Sequence, residues 1–404
     1  MLVVFCPFAA GYYLSYFYRY VNAVIAKDLV ADFALLPSDL GLLTSAYFLA
    51  FAAVQLPLGV LLDRYGPRRC TAALFCVAAC GALTFGLARD LTTLSIGRAL
   101  IGIGVSAGLM GSLKAFTLWF PRERLTRLSG WMIGVGSIGT LSATAPVEML
   151  LGPLGWRALF MGLSALSLAA ACLIFLVVPE RALPVQRESW GETFRMVGKI
   201  FARVDFWRLA APLVLCQGTF QSLQGLWFAP WLADVHGLGR SATADYLLAS
   251  AAAYMVASFA LGPLSDALAR RGFTALKFYQ AGMIACTAAF APIALGAGGA
   301  LVCLVLFAAT SIATIIGYTL LTHLVPAAQS GRITTASNLL MFAASFTIQW
   351  GVGAILGLWP SAGGRYDPQG YRVAFGILLA AQAAAAAWLL TARQRPQAAS
   401  PSRA

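Results

Sequence analysis

The feature that most constrains the fold is a series of twelve apolar runs along the chain. About 20 apolar residues are needed to cross a bilayer as a helix, and each run is about that long or longer. Hydrophobic residues make up 60% of the sequence and charged residues 11%, which excludes a soluble globule of 404 residues. We therefore predict an all-α integral membrane protein with twelve transmembrane helices. The predicted spans, numbered 1 to 12 in chain order, are 2–26, 37–62, 70–88, 92–118, 127–151, 157–178, 207–232, 242–266, 274–294, 297–323, 331–357 and 370–391.

A short polar stretch between spans 2 and 3 recurs weakly in the second half of the sequence. Gly59 and Asp63 are repeated as Gly262 and Asp266, in both cases half a chain length later. A repeat at half length in an apolar chain indicates two similar membrane bundles. We therefore predict two pseudo-symmetric six-helix bundles. The predicted domains are an N-terminal bundle at 1–178, a linker at 179–206, a C-terminal bundle at 207–391 and a tail at 392–404.

The linker carries apolar residues at helical spacing. Phe194, Val197, Ile200 and Phe201 fall opposite basic residues. This pattern predicts an amphipathic helix that lies on the membrane surface.

The stretch between spans 2 and 3 has the composition of a tight turn at the membrane boundary. Gly59 would let a neighbouring helix approach closely, and Asp63 would lie near the N-terminus of the next helix, where a carboxylate is favoured. Gly66 and Pro67 would form the turn. A generic positively charged loop is the alternative, but it does not explain the glycine–acid spacing or its repeat. The motif residues are Gly59, Asp63, Arg64, Gly66, Arg68 and Arg69.

The spacing of these glycines, arginines and the acid resembles the loop motif of the major facilitator superfamily. The resemblance implies two six-helix halves that work by alternating access. It also implies that the Asp and Arg hold the cytoplasmic ends of the halves together in the outward-facing state. The second copy keeps Gly262, Asp266, Arg270 and Arg271 but lacks the Arg after the Asp.

Two further motifs are similar to superfamily patterns. Arg98 opens span 4, ahead of Gly102 and Gly104, and the resemblance implies a role in conformational or proton coupling. Together with Arg19 in span 1 and a Trp-Phe-Pro sequence ending span 4, this arrangement resembles the anion:cation symporter branch. That branch uses a helix-1 arginine for the charge of its substrate. It often has an acid just before this arginine, where the present sequence has Tyr18.

Arg19 is the most informative charge inside a span. Placing a cation inside a span costs about 2.5–3.5 kcal/mol on insertion scales, so we expect such a residue to have a functional or structural role. Tyr12, Tyr16 and Arg19 share one helix face, and an arginine flanked by hydroxyls suits a carboxylate or phosphate. The alternative is an arginine that snorkels to the membrane surface.

Other polar residues of the spans are candidates for the same cavity. Gln217, Gln221 and Gln224 repeat the one-face spacing on span 7, with interhelical hydrogen bonding as the alternative. Lys114 in span 4 either contacts a ligand or snorkels. Further candidate lining residues of the C-terminal bundle are Tyr254, Tyr318 and Asn338.

Glu148 is the candidate for proton coupling. Asp63 and Asp266 are assigned to loops, and Glu148, near the outer end of span 5, is the one acid that we single out. A proton-coupled carrier needs a group that titrates as access alternates. The alternative interpretation is that Glu148 lies in water at the exposed end of the helix and has no coupling role.

The basic residues predict the orientation. Most of the 28 Lys and Arg residues fall on the side that holds Asp63, the linker and both termini. The positive-inside rule places that side in the cytoplasm, so we predict a multi-pass protein of the cell (inner) membrane with cytoplasmic termini. The same rule explains the net charge of +13 better than nucleic-acid binding does.

The leading functional hypothesis is a secondary transporter of a small anionic metabolite, running as a proton symporter, a uniporter or an exchanger. A drug or cation exporter and a transition-metal importer of the same fold are the alternatives, and a non-transporting sensor stays open. The sequence contains no nucleophile–base constellation and no metal-ligand spacing, so we predict neither an enzyme nor a bound cofactor or metal. The expected partners are the substrate, the lipid bilayer and a coupling proton, and the expected state is a monomer.

Overall fold

The computed structural model describes residues 2–180, 190–326, 330–360 and 365–392. Within these residues the chain is built of helices, which we label α1 to α15 in chain order. They are α1 (Leu2–Phe33), α2 (Pro37–Gly86), α3 (Leu91–Val105), α4 (Ala107–Trp119), α5 (Arg122–Ser142), α6 (Ala145–Val177), α7 (Trp190–Phe201), α8 (Val204–Ser222), α9 (Phe228–Val235), α10 (Arg240–Arg270), α11 (Ala275–Leu295), α12 (Ala300–Ser311), α13 (Thr314–Thr322), α14 (Ser330–Leu356) and α15 (Pro368–Leu390).

The helices account for the predicted spans. By length and composition alone, eight helical stretches of the described residues are apolar enough to cross a membrane. One of them, α2, contains spans 2 and 3 joined at Gly66, whose φ of 80° and ψ of 156° turn the chain without a loop. Spans 1, 5 and 7, which carry more polar residues, coincide with α1, with α5 and with α8 to α9. The fold is the predicted all-α membrane architecture, with twelve transmembrane helices in two six-helix bundles.

Several spans contain interruptions that were not predicted from the sequence. Span 4 breaks at Ser106 between α3 and α4, and span 10 breaks between α12 and α13. Span 7 contains a π-helical turn at Leu223–Trp227. Such a turn inserts a residue into the helical repeat, so it rotates the side chains that follow it relative to those before it.

We assign α1 to α6 to the first half and α8 to α15 to the second half. The halves contact each other where α14 packs against α2 and where α1 packs against the π-helical turn and α9. At one end of the molecule the backbones nearly touch. A Cβ on Gly41 of α2 would stand 3.0 Å from the Gln349 carbonyl oxygen, and a Cβ on Gly353 of α14 would collide with the Pro37 carbonyl oxygen. Since this end also holds Arg240, we call it the Arg240 end.

The opposite end, which holds Asp63, is more open. A Cβ on Gly59 or on Gly262 would meet no atom of the described residues within 4 Å. The close helix approach predicted at Gly59 is therefore absent from this conformation. The halves are in contact at the Arg240 end, no atom of the described residues approaches a Cβ on Gly59 or Gly262 at the Asp63 end, and a central cavity lies between the halves.

The linker helix packs part of its apolar face against the protein. α7 forms as expected, but Val197 and Ile200 are buried and α7 packs against α8 and α14. The apolar face therefore packs on the protein at Val197 and Ile200, and the position of this helix at the membrane surface stays a prediction. Residues 181–189 of the predicted linker and 393–404 of the predicted tail lie outside the described residues.

Candidate functional site

The central cavity has a volume of about 350 Å³ and draws its walls from both halves. The first half contributes α1, α2, α4 and α5, and the second half contributes α8, α10, α13 and α14. Arg19 is the only charged residue among those that the structure describes in this lining. Of the ten residues predicted to bind substrate, those that line the cavity are Tyr12, Tyr16, Arg19, Gln217, Gln221, Tyr254, Tyr318 and Asn338.

Arg19 lies in the cavity wall surrounded by aromatic rings. Its side chain is 6% exposed, and its guanidinium carbon lies 4.6 Å from the ring centre of Tyr16, 5.5 Å from that of Phe51 and 5.1 Å from that of Phe342. Phe51 belongs to the first half and Phe342 to the second half, so the cation is held at the junction. Cation–π contacts use the face of the guanidinium and stabilise a desolvated arginine. They leave the N–H groups, which lie in the guanidinium plane, available for hydrogen bonds.

The hydrogen-bonding capacity of Arg19 is only partly used. The Tyr47 hydroxyl is within hydrogen-bonding reach of the guanidinium, but the buried Nε has no partner among the described residues. Within the same residues no carboxylate lies within salt-bridge distance of Arg19. A buried cation with an unused N–H donor and no carboxylate partner favours the binding of an anion, whose oxygens accept hydrogen bonds.

The wall contributed by the second half is neutral and polar. Gln217 accepts a hydrogen bond from the Thr314 hydroxyl at 2.9 Å and donates to the Tyr254 hydroxyl at 3.4 Å. Tyr318 bonds to Asn338 at 3.0 Å. These hydroxyl and amide groups can exchange their mutual hydrogen bonds for bonds to a polar ligand.

Two further cavity residues keep unused polar atoms. Gln221 donates to the Met341 sulfur at 3.2 Å, and its Oε1 has no partner among the described residues. Gln55 lines the cavity with a buried Nε2 that has no partner in the same set of residues. Sequence reasoning missed Gln55, although a lone glutamine in the apolar span 2 was a usable signal. It also missed Phe51 and Phe342, which look like any other aromatic core residues.

Gln224 does not line the cavity, contrary to prediction. It is buried within the second half, where its Nε2 donates to the Leu247 carbonyl and its Oε1 accepts from Ser250, both at 3.0 Å. Both polar atoms of its amide therefore bond to α10. The role that the structure supports is the alternative, an interhelical hydrogen bond.

Lys114 also lies outside the cavity lining. Its Nζ is 2.6 Å from the Asp63 carboxylate, so the motif acid pairs with a lysine of its own half. The motif arginines stay within the first half as well. Arg68 donates to the Phe175 carbonyl at 2.8 Å, and Arg68 and Arg69 both pair with Glu180. Arg64, the remaining motif arginine, lies over the Tyr65 ring. In the second-half copy of the motif, Gly262, Asp266 and Arg270 are exposed.

Arg98 is buried in the first half and donates to the Tyr18 carbonyl at 2.8 Å. Its guanidinium lies over the Tyr47 ring at 4.8 Å. Because Tyr18 precedes Arg19 and Tyr47 reaches the Arg19 guanidinium, Arg98 holds the backbone and one partner of the cavity cation in place. The structure therefore gives it a positioning role next to the site.

Glu148 lies in an ion-pair cluster at the Arg240 end. Arg240 of the second half contacts Glu148 at 2.7 Å and Asp28 of α1 at 2.6 Å. The cluster joins the two halves across the closed end, away from the central cavity. Sequence reasoning missed Asp28 because span 1 was ended at residue 26, whereas α1 continues to Phe33.

Comparisons with known proteins give a consistent result. A family model described as Major Facilitator Superfamily matches residues 8–349. The probable sulfoacetate transporter SauU of Cupriavidus necator is 28% identical over 158 residues, which cover 39% of this chain and 36% of that protein. The probable L-galactonate transporter of Escherichia coli K12 is 24% identical over 313 residues, which cover 72% of this chain and 67% of that protein. The chain thus matches about a third of the first relative's length and two thirds of the second's.

The fold is also similar to solved structures. A bacterial homologue of the human lysosomal transporter Spinster, in an inward-facing and unoccupied conformation, superposes with a TM-score of 0.72. The superposition covers 96% of this chain and 95% of that chain, with 20% sequence identity.

Proposed function

The chain belongs to the Major Facilitator Superfamily, and on this premise we propose that it carries a small organic anion across a bacterial inner membrane by alternating access. Membership confirms the predictions of a multi-pass transporter and of a protein that is not an enzyme. We further propose that the Asp63 end faces the cytoplasm, because the loops rich in Lys and Arg lie there.

The observation that carries the proposal is the state of Arg19. It is a buried cation in a cavity between the halves, with a free Nε and without a carboxylate partner among the described residues. Burying a charge without a partner is costly, and the substrate is the missing partner. A carboxylate or sulfonate would bind the guanidinium through two hydrogen bonds and replace lost hydration.

The rest of the cavity suggests how an anion is selected. The rings of Tyr16, Phe51 and Phe342 exclude water from the guanidinium, which strengthens its attraction for an anion. Gln217, Asn338 and the nearby hydroxyls offer both donors and acceptors to the uncharged part of the substrate. The names of the relatives agree with such a ligand, since one is a probable transporter of sulfoacetate and one of L-galactonate.

The two ends of the molecule suggest the transport cycle. In the present conformation the Arg240–Asp28–Glu148 cluster and the α2–α14 contact close one end. We propose that the opposite conformation breaks these contacts and closes the Asp63 end, where Gly59 and Gly262 leave room for helix approach. Glu148 remains our candidate for proton coupling, because separating the halves would take Arg240 away from its carboxylate and expose it to water.

The test is ligand-induced thermal stabilisation of the purified full-length protein. The probes are L-galactonate, sulfoacetate and a panel of other small acids, each compared with a neutral analogue and with cations. A ligand at about 100 times its dissociation constant should add roughly 2.7 kcal/mol of stability. We expect stabilisation by an acid in the wild type and in Arg64→Gln, a matched control outside the cavity, and its loss in Arg19→Gln. Stabilisation by cations alone would overturn the proposal.

A further inference from the structure

A second cavity lies between the halves at the Arg240 end. Its volume is about 430 Å³, within the range of roughly 300–1,000 Å³ usual for small-molecule sites. It shares no lining residue with the central cavity. We propose that this second cavity binds a small amphipathic monoanion, a carboxylate on an apolar body, and that the bound anion holds the two halves together at this end.

The walls of the second cavity suit an apolar body. Six alanines line it, and each side chain stops at Cβ, so α1, α9 and α10 approach one another without filling the space between them. Such walls gain free energy by taking apolar surface out of water. The alanines are Ala23, Ala26, Ala31, Ala229, Ala233 and Ala244.

The charged residues of the second cavity favour one negative charge. Lys27 of the first half and Arg365 of the second half are exposed, and both lie within electrostatic reach of Asp234. Among the described residues neither cation forms a salt bridge. Around Asp234 two cations face one carboxylate, whereas the neighbouring cluster, in which Arg240 pairs with Asp28 and Glu148, carries one net negative charge. The positive excess is therefore local to Lys27 and Arg365.

The acids of the cavity are already engaged. Asp234 accepts hydrogen bonds from the Tyr371 hydroxyl at 2.8 Å and from the Tyr366 backbone N–H at 3.2 Å. Glu148 is bound to Arg240, which also holds Asp28. A ligand cation would compete with Lys27 and Arg365 for Asp234 and with Arg240 for Glu148, whereas a ligand anion finds Lys27 and Arg365 without a bound carboxylate. The charge pattern thus selects the sign of the ligand.

Thr243 marks the interior of the second cavity. It is 6% exposed, it lines the cavity, and its hydroxyl has no partner within the part of the chain that the structure describes. A buried hydroxyl without a partner costs free energy, and an oxygen of the ligand would satisfy it. This hydroxyl without a partner is independent of the charge argument and indicates that the ligand carries a polar atom.

Occupancy of the second cavity would act on the transport cycle. One wall comes from α1, α2 and α6, and the other comes from α9, α10 and the segment that holds Arg365. An anion touching both walls binds the closed arrangement better than the separated one, so it shifts the population toward closure. The second cavity is therefore an inhibitory site for amphipathic acids.

The experiment is calorimetric titration of the full-length protein with 3-phenylpropionate, with 3-phenylpropanamide as the neutral control. We expect the acid to bind and the amide to bind at least about tenfold more weakly. The double variant Lys27→Gln/Arg365→Gln should weaken binding of the acid by about the same factor. Both positions are exposed, so the variant should fold, which a melting curve checks.

A second variant separates this site from the central cavity. Arg19→Gln should leave 3-phenylpropionate binding unchanged, because Arg19 does not line the second cavity. Equal affinity of the acid and the amide would overturn the proposal, as would an unchanged affinity in the Lys27/Arg365 variant or a loss of binding in Arg19→Gln.

Discussion

Arg240 and Asp28 are 212 residues apart in the sequence, yet their side chains form a two-point salt bridge between the halves, with N–O distances of 2.8 and 2.6 Å. Both side chains are about one-third exposed, so solvent screening limits the energy. We expect a coupling energy of about 1 kcal/mol in a double-mutant cycle of Arg240→Gln and Asp28→Asn. That value corresponds to about a fivefold shift toward opening at this end.

Spin-label distances between α1 and α10 measure this shift. Arg157→Gln is the matched control, because Arg157 pairs with Asp32 inside the first half at 3.9 Å. It should leave the distance distribution unchanged. An equal shift in the control would show that the cluster at Arg240 does not govern closure.

Lys114 should affect stability and not substrate affinity. Lys114→Gln removes the 2.6 Å salt bridge to Asp63, a partly exposed pair worth about 0.5–1 kcal/mol. We expect a lower melting temperature and a KM for transport that changes by less than about twofold. Exchanging the charges, as Asp63→Lys with Lys114→Asp, should restore part of the stability. A large rise in KM would show that Lys114 contributes to substrate binding.

Two glutamines of span 7 should respond differently to the same substitution. Gln224→Ala leaves the Leu247 carbonyl and the Ser250 hydroxyl without their partner, so we expect a loss of about 1–2 kcal/mol in stability. Gln217→Ala removes a cavity group, so transport should suffer more than folding. Melting curves and uptake kinetics of the two variants provide the comparison, and the opposite pattern would contradict it.

Substituting alanine for two motif glycines, Gly102 and Gly59, should change stability in opposite directions. A Cβ on Gly102 would collide with the Tyr47 carbonyl oxygen, so Gly102→Ala should cost about 1–3 kcal/mol through overpacking. Gly59→Ala meets open space in this conformation, and it should raise helix stability slightly. If Gly59 allows helix approach in the opposite conformation, Gly59→Ala should nevertheless slow transport. Thermal melting and uptake rates test both statements.

His236 should make stability depend on pH. Burial lowers the pKa of His236 below 6.5, so the folded state binds fewer protons than the unfolded chain between these two values. Its contribution to stability is present above about pH 6.5 and is lost as the pH falls through the lower, folded pKa. Melting temperatures between pH 7.5 and 5 should fall less steeply for His236→Gln than for the wild type. Parallel curves would show that His236 contributes nothing.

Sequence reasoning succeeded where a physical length or period sets the answer. Bilayer thickness fixes the length of the apolar runs, so the spans could be counted. The period of the α-helix placed Tyr12, Tyr16 and Arg19 on one face of α1, and all three line the central cavity.

The failures have equally specific causes. Gln224 lies inside the π-helical turn that begins at Leu223, and the extra residue rotates it away from the face that Gln217 presents. An α-helical period cannot reveal such an insertion. Neither the salt bridge of Lys114 with Asp63 nor that of Asp28 with Arg240 was predicted, because the partners lie far apart along the chain and no local pattern specifies such a contact.

Arg19, the one formal charge among the described residues that line the central cavity, has an electrical consequence. Without substrate, the protein carries the positive charge of Arg19 between its halves, and a bound monoanion cancels it. Moving one charge through a potential of 100 mV involves about 2.3 kcal/mol. When the anion moves without a coupled proton, the membrane voltage therefore acts on the empty carrier and spares the loaded one, so the cell's electrical polarisation would set how fast the unloaded protein returns.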